Sequence, residues 1–153
     1  MVTISVEHDK WAKESIISGM GERFAEIPTL TNSISLGEKY MEIKTDDYHI
    51  TYQPDSASVI CKGSLLLSSA EEYMPILQLL NGAAEQHNTL TLDVKELEFL
   101  NSSGINMFTK FVINVRKKPD LEMTARGYQE IPWQVRFLKN LQRLLPTLEL
   151  ELE

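Results

Sequence analysis

A chain of 153 residues with 42% hydrophobic and 24% charged residues has the length and balance of one globular domain with a real core, and too little length for two. Its formal net charge of -7 disfavours nucleic acid and anionic lipid as partners, because both need clustered Lys and Arg. The single cysteine, Cys61, excludes an internal disulfide framework and fits a reducing cytoplasm.

The start, MVTISVEHDKW, has neither the basic head nor the apolar centre of a secretion leader, and no apolar run approaches a membrane span. Residues 1–36 read as an N-terminal extension. Trp11, Ile16, Met20, Phe24 and Ile27 recur at helical spacing with charged residues between them. Gly19 and Gly21 each weaken that helix by about 1 kcal/mol relative to Ala. Pro28 ends it, and TLTNSISLG follows as a linker or short strand. The expectation is a helix docked on the domain, or an arm that binds a partner or makes a homodimer.

Residues 37–153 form the domain proper. KYMEIKT and YHITYQ read as two strands joined at Asp46-Asp47, and SASVICKG as a third, closed by Gly63. Ser68 and Ser69, each three residues ahead of a glutamate, offer a capping box. The helix that follows reaches about Gln86 with Tyr73, Ile76, Leu77, Leu80 and Ala84 on its apolar face, and Pro75 predicts a late start or a bend.

NTLTLDV alternates as a strand and feeds the connection KELEFLNSSG. The next helix, about Ser103 to Lys117, carries Ile105, Phe108, Val112 and Val115 on one stripe, widened by Met107 and Phe111. LEMTARG is another strand. Pro132 then opens an amphipathic helix with Val135, Leu138, Leu141 and Leu145 inward, Pro146 ends it, and TLELELE alternates like an edge strand. Strands alternating with helices require crossovers. The fold class is therefore α/β, a mixed sheet of about four to six strands flanked by helices, with an N-terminal helical extension.

A search for catalysis finds little. His8, His49 and His87 are far apart and lack metal-ligand spacing. Cys61 lies in an apolar strand, where a thiol behaves as a small hydrophobe. GMGERF and KGSLLLSS are not phosphate loops, the elbow G-x-S-x-G is missing, and Asp93, Glu96 and Glu98 read as a solvated turn. The reading is a protein without catalytic residues, cofactor or metal.

The stretch FLNSSGINMF, residues 99–108, asks for more. Any of Asn101, Ser102 and Ser103 could cap the helix, so three in a row exceed what capping requires. In one reading a serine hydroxyl accepts from an orphan N–H and Gly104 allows close approach to the sheet. In the other, an exposed serine at the positive helix end accepts a phosphate, and the added dianion repels a partner fitted to the neutral surface.

The segment TLTLDVKELEFLNSSGINMFTKFV resembles the central segment of the STAS domains, the bacterial anti-sigma-factor antagonists and related modules. Their signature is an apolar strand followed by Asp-Ser-Ser-Gly opening a helix. VICKGSLLLSSAEEYMPIL resembles the preceding strand, turn and helix, and the match runs from Ala57 to Pro146 in a divergent regulatory branch. The resemblance implies a cytoplasmic, non-enzymatic partner switch. An anti-sigma-type Ser/Thr kinase would phosphorylate Ser102, with Ser103 the second candidate, a PP2C-like phosphatase would reverse it, and a downstream effector would bind one form. The partner surface would comprise Asn101, Gly104, Ile105, Asn106, Thr109 and Lys110, with Trp133 as a further anchor. Asn101 stands where the family usually has aspartate. The alternative is a constitutive scaffold, or a module that binds a small ligand or nucleotide without phosphorylation.

Overall fold

The computed structural model describes residues 3–6, 30–31 and 41–153. The helix expected between Trp11 and Ile27 lies outside these residues. Two short strands, β1 (Thr3–Val6) and β2 (Leu30–Thr31), nevertheless fall within the N-terminal extension and join the sheet. The helical spacing of that region did not announce them, although TLTNSISLG allowed a short strand at β2.

The remaining strands are β3 (Met41–Lys44), β4 (Tyr48–Gln53), β5 (Ser58–Leu65), β6 (Thr89–Asp93), β7 (Leu97–Leu100), β8 (Glu122–Gly127) and β9 (Glu149–Leu152). The helices are α1 (Ala70–Gln86), α2 (Ser102–Val115) and α3 (Pro132–Leu144). The fold is α/β with a mixed sheet, as expected. Its order is β2-β1-β3-β4-β5-β6-β8-β9, with β7 paired to β5 off that path, so nine strands are seen among the described residues where about four to six were expected. Pairings β3–β4 and β4–β5 are antiparallel, whereas β5–β6, β6–β8 and β8–β9 are parallel.

Register explains the core. Tyr52, Val59, Leu92 and Ala125 are direct neighbours across β4, β5, β6 and β8, and all four are buried. The alternate row, Thr51, Ile60, Asp93, Arg126 and Glu151, is half-buried or exposed, because a strand's side chains alternate between faces. The helices thus cover one face of the sheet. Tyr73, Ile76 and Leu80 of α1, Phe108, Phe111 and Val112 of α2, and Leu138 and Leu141 of α3 are all buried in that layer.

Local signals account for most helix ends. Ser69 caps α1 by accepting from the Glu72 N–H, while the Glu72 carboxylate accepts from the Ser68 N–H. Pro75 does not delay α1, which begins at Ala70 and carries the proline within it. The one backbone bond it forfeits would have gone to the carbonyl of Glu71, an exposed residue.

The segment read as the connection KELEFLNSSG contains β7. The eight residues of β5 are shared: Ser58–Ile60 pair with β6, and Gly63–Leu65 pair with β7 across a register shift at Gly63/Ser64. Gly63 permits this with φ +92°, and a Cβ there would strike the Asp47 carbonyl oxygen. Between β6 and β7 the chain turns tightly. The Asp93 carboxylate accepts from the Lys95 N–H at 2.9 Å, and the Leu97 N–H donates to Val94 O at 3.0 Å. This added strand delivers Asn101 to the sheet end where α2 begins.

Candidate functional site

The start of α2 is bolted to the β5–α1 loop through Asn101. Its N–H donates to Leu65 O, continuing the β5–β7 pairing by one residue. Its side-chain oxygen accepts from the Gly104 N–H at 2.9 Å, which makes Asn101 the N-cap. Its amide nitrogen donates to Leu67 O at 2.8 Å. The Tyr73 hydroxyl lies 2.8 Å from both the Asn101 oxygen and Leu65 O, so its single proton serves one of two acceptors, while its oxygen accepts from the Leu67 N–H at 3.3 Å. Burial pushes the Tyr73 phenol upward, with the Leu67 bond opposing, and this keeps it a protonated donor.

This geometry accounts for asparagine rather than aspartate at position 101. One atom must accept from Gly104 and another must donate to Leu67 O. Only an amide of this length does both. The price of a carboxylate would be an oxygen facing the Leu67 carbonyl. Asn101 was expected on the partner surface, and its carboxamide is turned inward instead. Gly104 is likewise buried, because a Cβ there would strike Leu100 Cδ1 and approach Tyr73 Oη at 2.8 Å. Its requirement is close approach, as one reading of the sequence held.

With the cap supplied by Asn101, neither serine hydroxyl is needed for it. Ser102, the first residue of α2, is exposed; Ser103 is half-buried. Among the described residues neither side chain has a hydrogen-bond partner. The N–H groups of Ser102 and Ser103 belong to the first turn and have no carbonyl one turn back, so a hydroxyl here stands at the positive end of the helix.

Two hollows flank this turn. One, between α2 and α3, is lined by Phe99, Leu100, Ile105, Trp133, Arg136 and Asn140 with Phe137 beneath. The other, between α1 and α2, is lined by Met74, Leu77, Ser103, Asn106, Thr109 and Lys110 among others. Exposed apolar side chains concentrate here: Phe99 is 58% exposed, Met74 46% and Ile105 39%. Leu66, 57% exposed, stands beside the Leu67 carbonyl that Asn101 holds. Of the expected surface residues, Ile105 and Trp133 share the first hollow, and Asn106, Thr109 and Lys110 share the second. Trp133 is half-buried, its ring centroid 6.1 Å from that of Phe137, so it packs α3 and also shows a face to the hollow.

Sequence reasoning missed Phe99, Leu66 and Met74. Strand alternation in LEFL points the wrong way for Phe99, because it lies two residues from buried Leu97; the extra residue Glu98, between the Leu97–Gly63 and Phe99–Ser64 pairs, shifts the alternation and leaves Phe99 exposed. It also missed Gln134, which is fully buried among the core side chains. Its amide nitrogen donates toward Val94 O, Leu97 O and Lys95 O at 2.8, 3.0 and 3.2 Å, and its oxygen accepts from the Tyr128 N–H at 2.8 Å. It fastens α3 to the β6–β7 turn and so fixes Trp133 beside Ile105.

The other candidate groups are scattered. His49 bonds to Glu42, His87 to the Tyr52 hydroxyl, and His8 lies outside the described residues. Cys61 is buried, and burial pushes its thiol far upward, so it behaves as the small hydrophobe expected. Among the described residues no three His, Cys, Asp or Glu side chains group to hold a metal ion, and no helix is long and apolar enough to cross a membrane.

No family model and no curated protein sequence matches the chain. Solved structures do. A chain in the crystal structure of the diguanylate cyclase SiaD in complex with its activator SiaC, from Pseudomonas aeruginosa, matches with a TM-score of 0.56 at 11% identity, over 72% of this chain and 96% of that one. The likeness is one of fold. SiaC of Pseudomonas aeruginosa matches with a TM-score of 0.54 at 12% identity over 72% of this chain and 93% of its own. Apo-SiaC gives 0.53 at 11%, over 71% and 93%. The sheet and the three helices of the described residues share the fold of SiaC.

Proposed function

We propose that this protein is a non-enzymatic regulator that acts by binding another protein at the first turn of α2, with Ser102 as the residue whose phosphorylation decides binding. The observation that carries the reading is the spare hydroxyl. Asn101 does the capping, so Ser102 stands exposed with no structural task, at a helix start ringed by exposed Phe99, Ile105, Leu66 and Met74. A phosphate there meets the free N–H groups and helix dipole without unfolding anything. It also adds about two negative charges to a surface otherwise apolar and cationic. The likeness to SiaC, an activator that forms a complex with a diguanylate cyclase, supports regulation through protein contact. The STAS resemblance supports an anti-sigma-type kinase and a PP2C-like phosphatase as the enzymes that write and erase the mark.

The test is phosphopeptide mass spectrometry on protein recovered from its native cell across growth conditions, joined to capture of partners by Ser102→Ala and Ser102→Asp variants. Modification on Ser102 and loss or gain of a partner in Ser102→Asp alone are expected. Unmodified Ser102 throughout, with all three proteins capturing the same partners, refutes the switch.

A further inference from the structure

Charge is not spread evenly over this acidic protein. Residues 101–118, which comprise α2 and its ends, hold Lys110, Arg116, Lys117 and Lys118 and no Asp or Glu. Residues 131–147, which comprise α3, hold Arg136, Lys139 and Arg143 and again no acid. Seven of the 15 basic residues thus lie on two neighbouring helices, and all 22 acidic residues lie elsewhere with the remaining eight.

Pairing sharpens the contrast. Elsewhere among the described residues, Lys62, Lys95 and Arg126 each lie within 4.0 Å of a carboxylate. On α2 and α3 only Lys118 does, reaching Glu85 of α1 at 3.9 Å. Lys110, Arg116, Lys117, Arg136, Lys139 and Arg143 are exposed and have no ion pair among the described residues. Both helices leave the C-terminal ends of parallel strands, so they run side by side in one direction. Down the strip between and beside them stand the exposed Ile105 and Ile113, with the Phe99–Trp133 hollow at its upper end.

We infer that the α2–α3 face takes an acidic amphipathic helix of a partner protein, its apolar ridge seated on Phe99, Ile105 and Trp133 and its carboxylates set against Arg136 and Lys139. This deepens the proposed function and rests on its reading of the α2 turn as a docking site. A groove between two parallel helices matches the ridge of a third, and unpaired cations beside apolar anchors select acidic flanks. A polyphosphate is the poorer fit. Nucleic acid or lipid headgroups need a continuous cationic surface, whereas apolar side chains interrupt this one and the rest of the molecule carries a large negative excess. Phosphate on Ser102 would meet the occupant's carboxylates at the groove's upper end and repel them.

The experiment places a photo-cross-linking benzoyl-phenylalanine at Lys139 or Asn140 of the full chain in its native cell and sequences the cross-linked peptide. That peptide is then synthesised and titrated against wild type, Arg136→Glu/Lys139→Glu and Ser102→Asp in low and high salt. The expected peptide has Asp or Glu flanking apolar residues at one-turn spacing. Its affinity is expected to fall about tenfold or more in the double charge reversal and several-fold as salt is raised through the Debye regime. A neutral or basic peptide, a peptide of this chain itself, cross-links only to lipid or nucleic acid, or no cross-link at either position overturns the inference. An acidic peptide bound equally by Ser102→Asp upholds this partner class and sinks the phosphorylation switch. A non-acidic peptide lost on Ser102→Asp does the reverse.

Discussion

Replacing Asn101 tests the bolt that presents Ser102. Asn101→Ala removes the acceptor for the Gly104 N–H, a loss of about 1 kcal/mol by analogy with other N-caps. It also leaves Leu67 O, half-buried and with no other donor among the described residues, without its 2.8 Å partner, which costs about 1 kcal/mol more. Tyr73 loses nothing, because its proton turns to Leu65 O at the same 2.8 Å. The sum is about 2 kcal/mol. Asn101→Asp separates the two contributions. Aspartate caps as well as asparagine, so the cap survives, but a carboxylate oxygen now faces the Leu67 carbonyl and the variant loses about 1 kcal/mol or more. Urea unfolding followed by circular dichroism at 222 nm measures both, provided the denaturant slope is unchanged. An Asn101→Asp protein as stable as wild type would refute the account of why asparagine stands here, and Asn101→Ala within about 0.5 kcal/mol of wild type would refute the bolt itself.

Gly104→Ala gains up to about 1 kcal/mol in helix propensity but forces Tyr73 away from the bonds that hold it, so a net loss of about 1–2 kcal/mol is expected in the same assay. Gln134→Ala strands the Leu97 carbonyl and the Tyr128 N–H, whereas Val94 O keeps the Leu97 N–H, for an expected loss of about 2 kcal/mol, and hydrogen exchange should accelerate in the 94–97 turn and at the start of α3. The folded-state pKa of Cys61 lies above its ordinary value of 9.0, so the stability linked to it is complete below pH 9 and declines as pH rises beyond it. Relative to Cys61→Val, wild type should lose stability at about 0.7 kcal/mol per pH unit at pH 9, steepening toward about 1.4 kcal/mol per unit one pH unit higher, read from urea melts along a pH series, and native Cys61 should resist alkylation.

The helices and their ends were legible in the sequence because their causes are local. Apolar residues at helical spacing, Ser69 with Glu72, and Pro132 with Pro146 act within one or two turns of chain. Alternation likewise located β4, β6 and β9, and the Asn-Ser-Ser-Gly segment marked the start of α2. Three decisions belonged to tertiary structure. β7 exists because β5 is long enough to share its edge after Gly63, a pairing between segments more than 30 residues apart that leaves little trace in KELEFL. Asn101 rather than a serine caps α2 because Leu67 O and Tyr73 arrive from another element and demand a side chain that both donates and accepts. The unpaired cationic face follows the same logic. Each helix alone reads as an amphipathic segment with a few basic residues, and only their placement side by side on one face of the sheet turns those charges into a single surface.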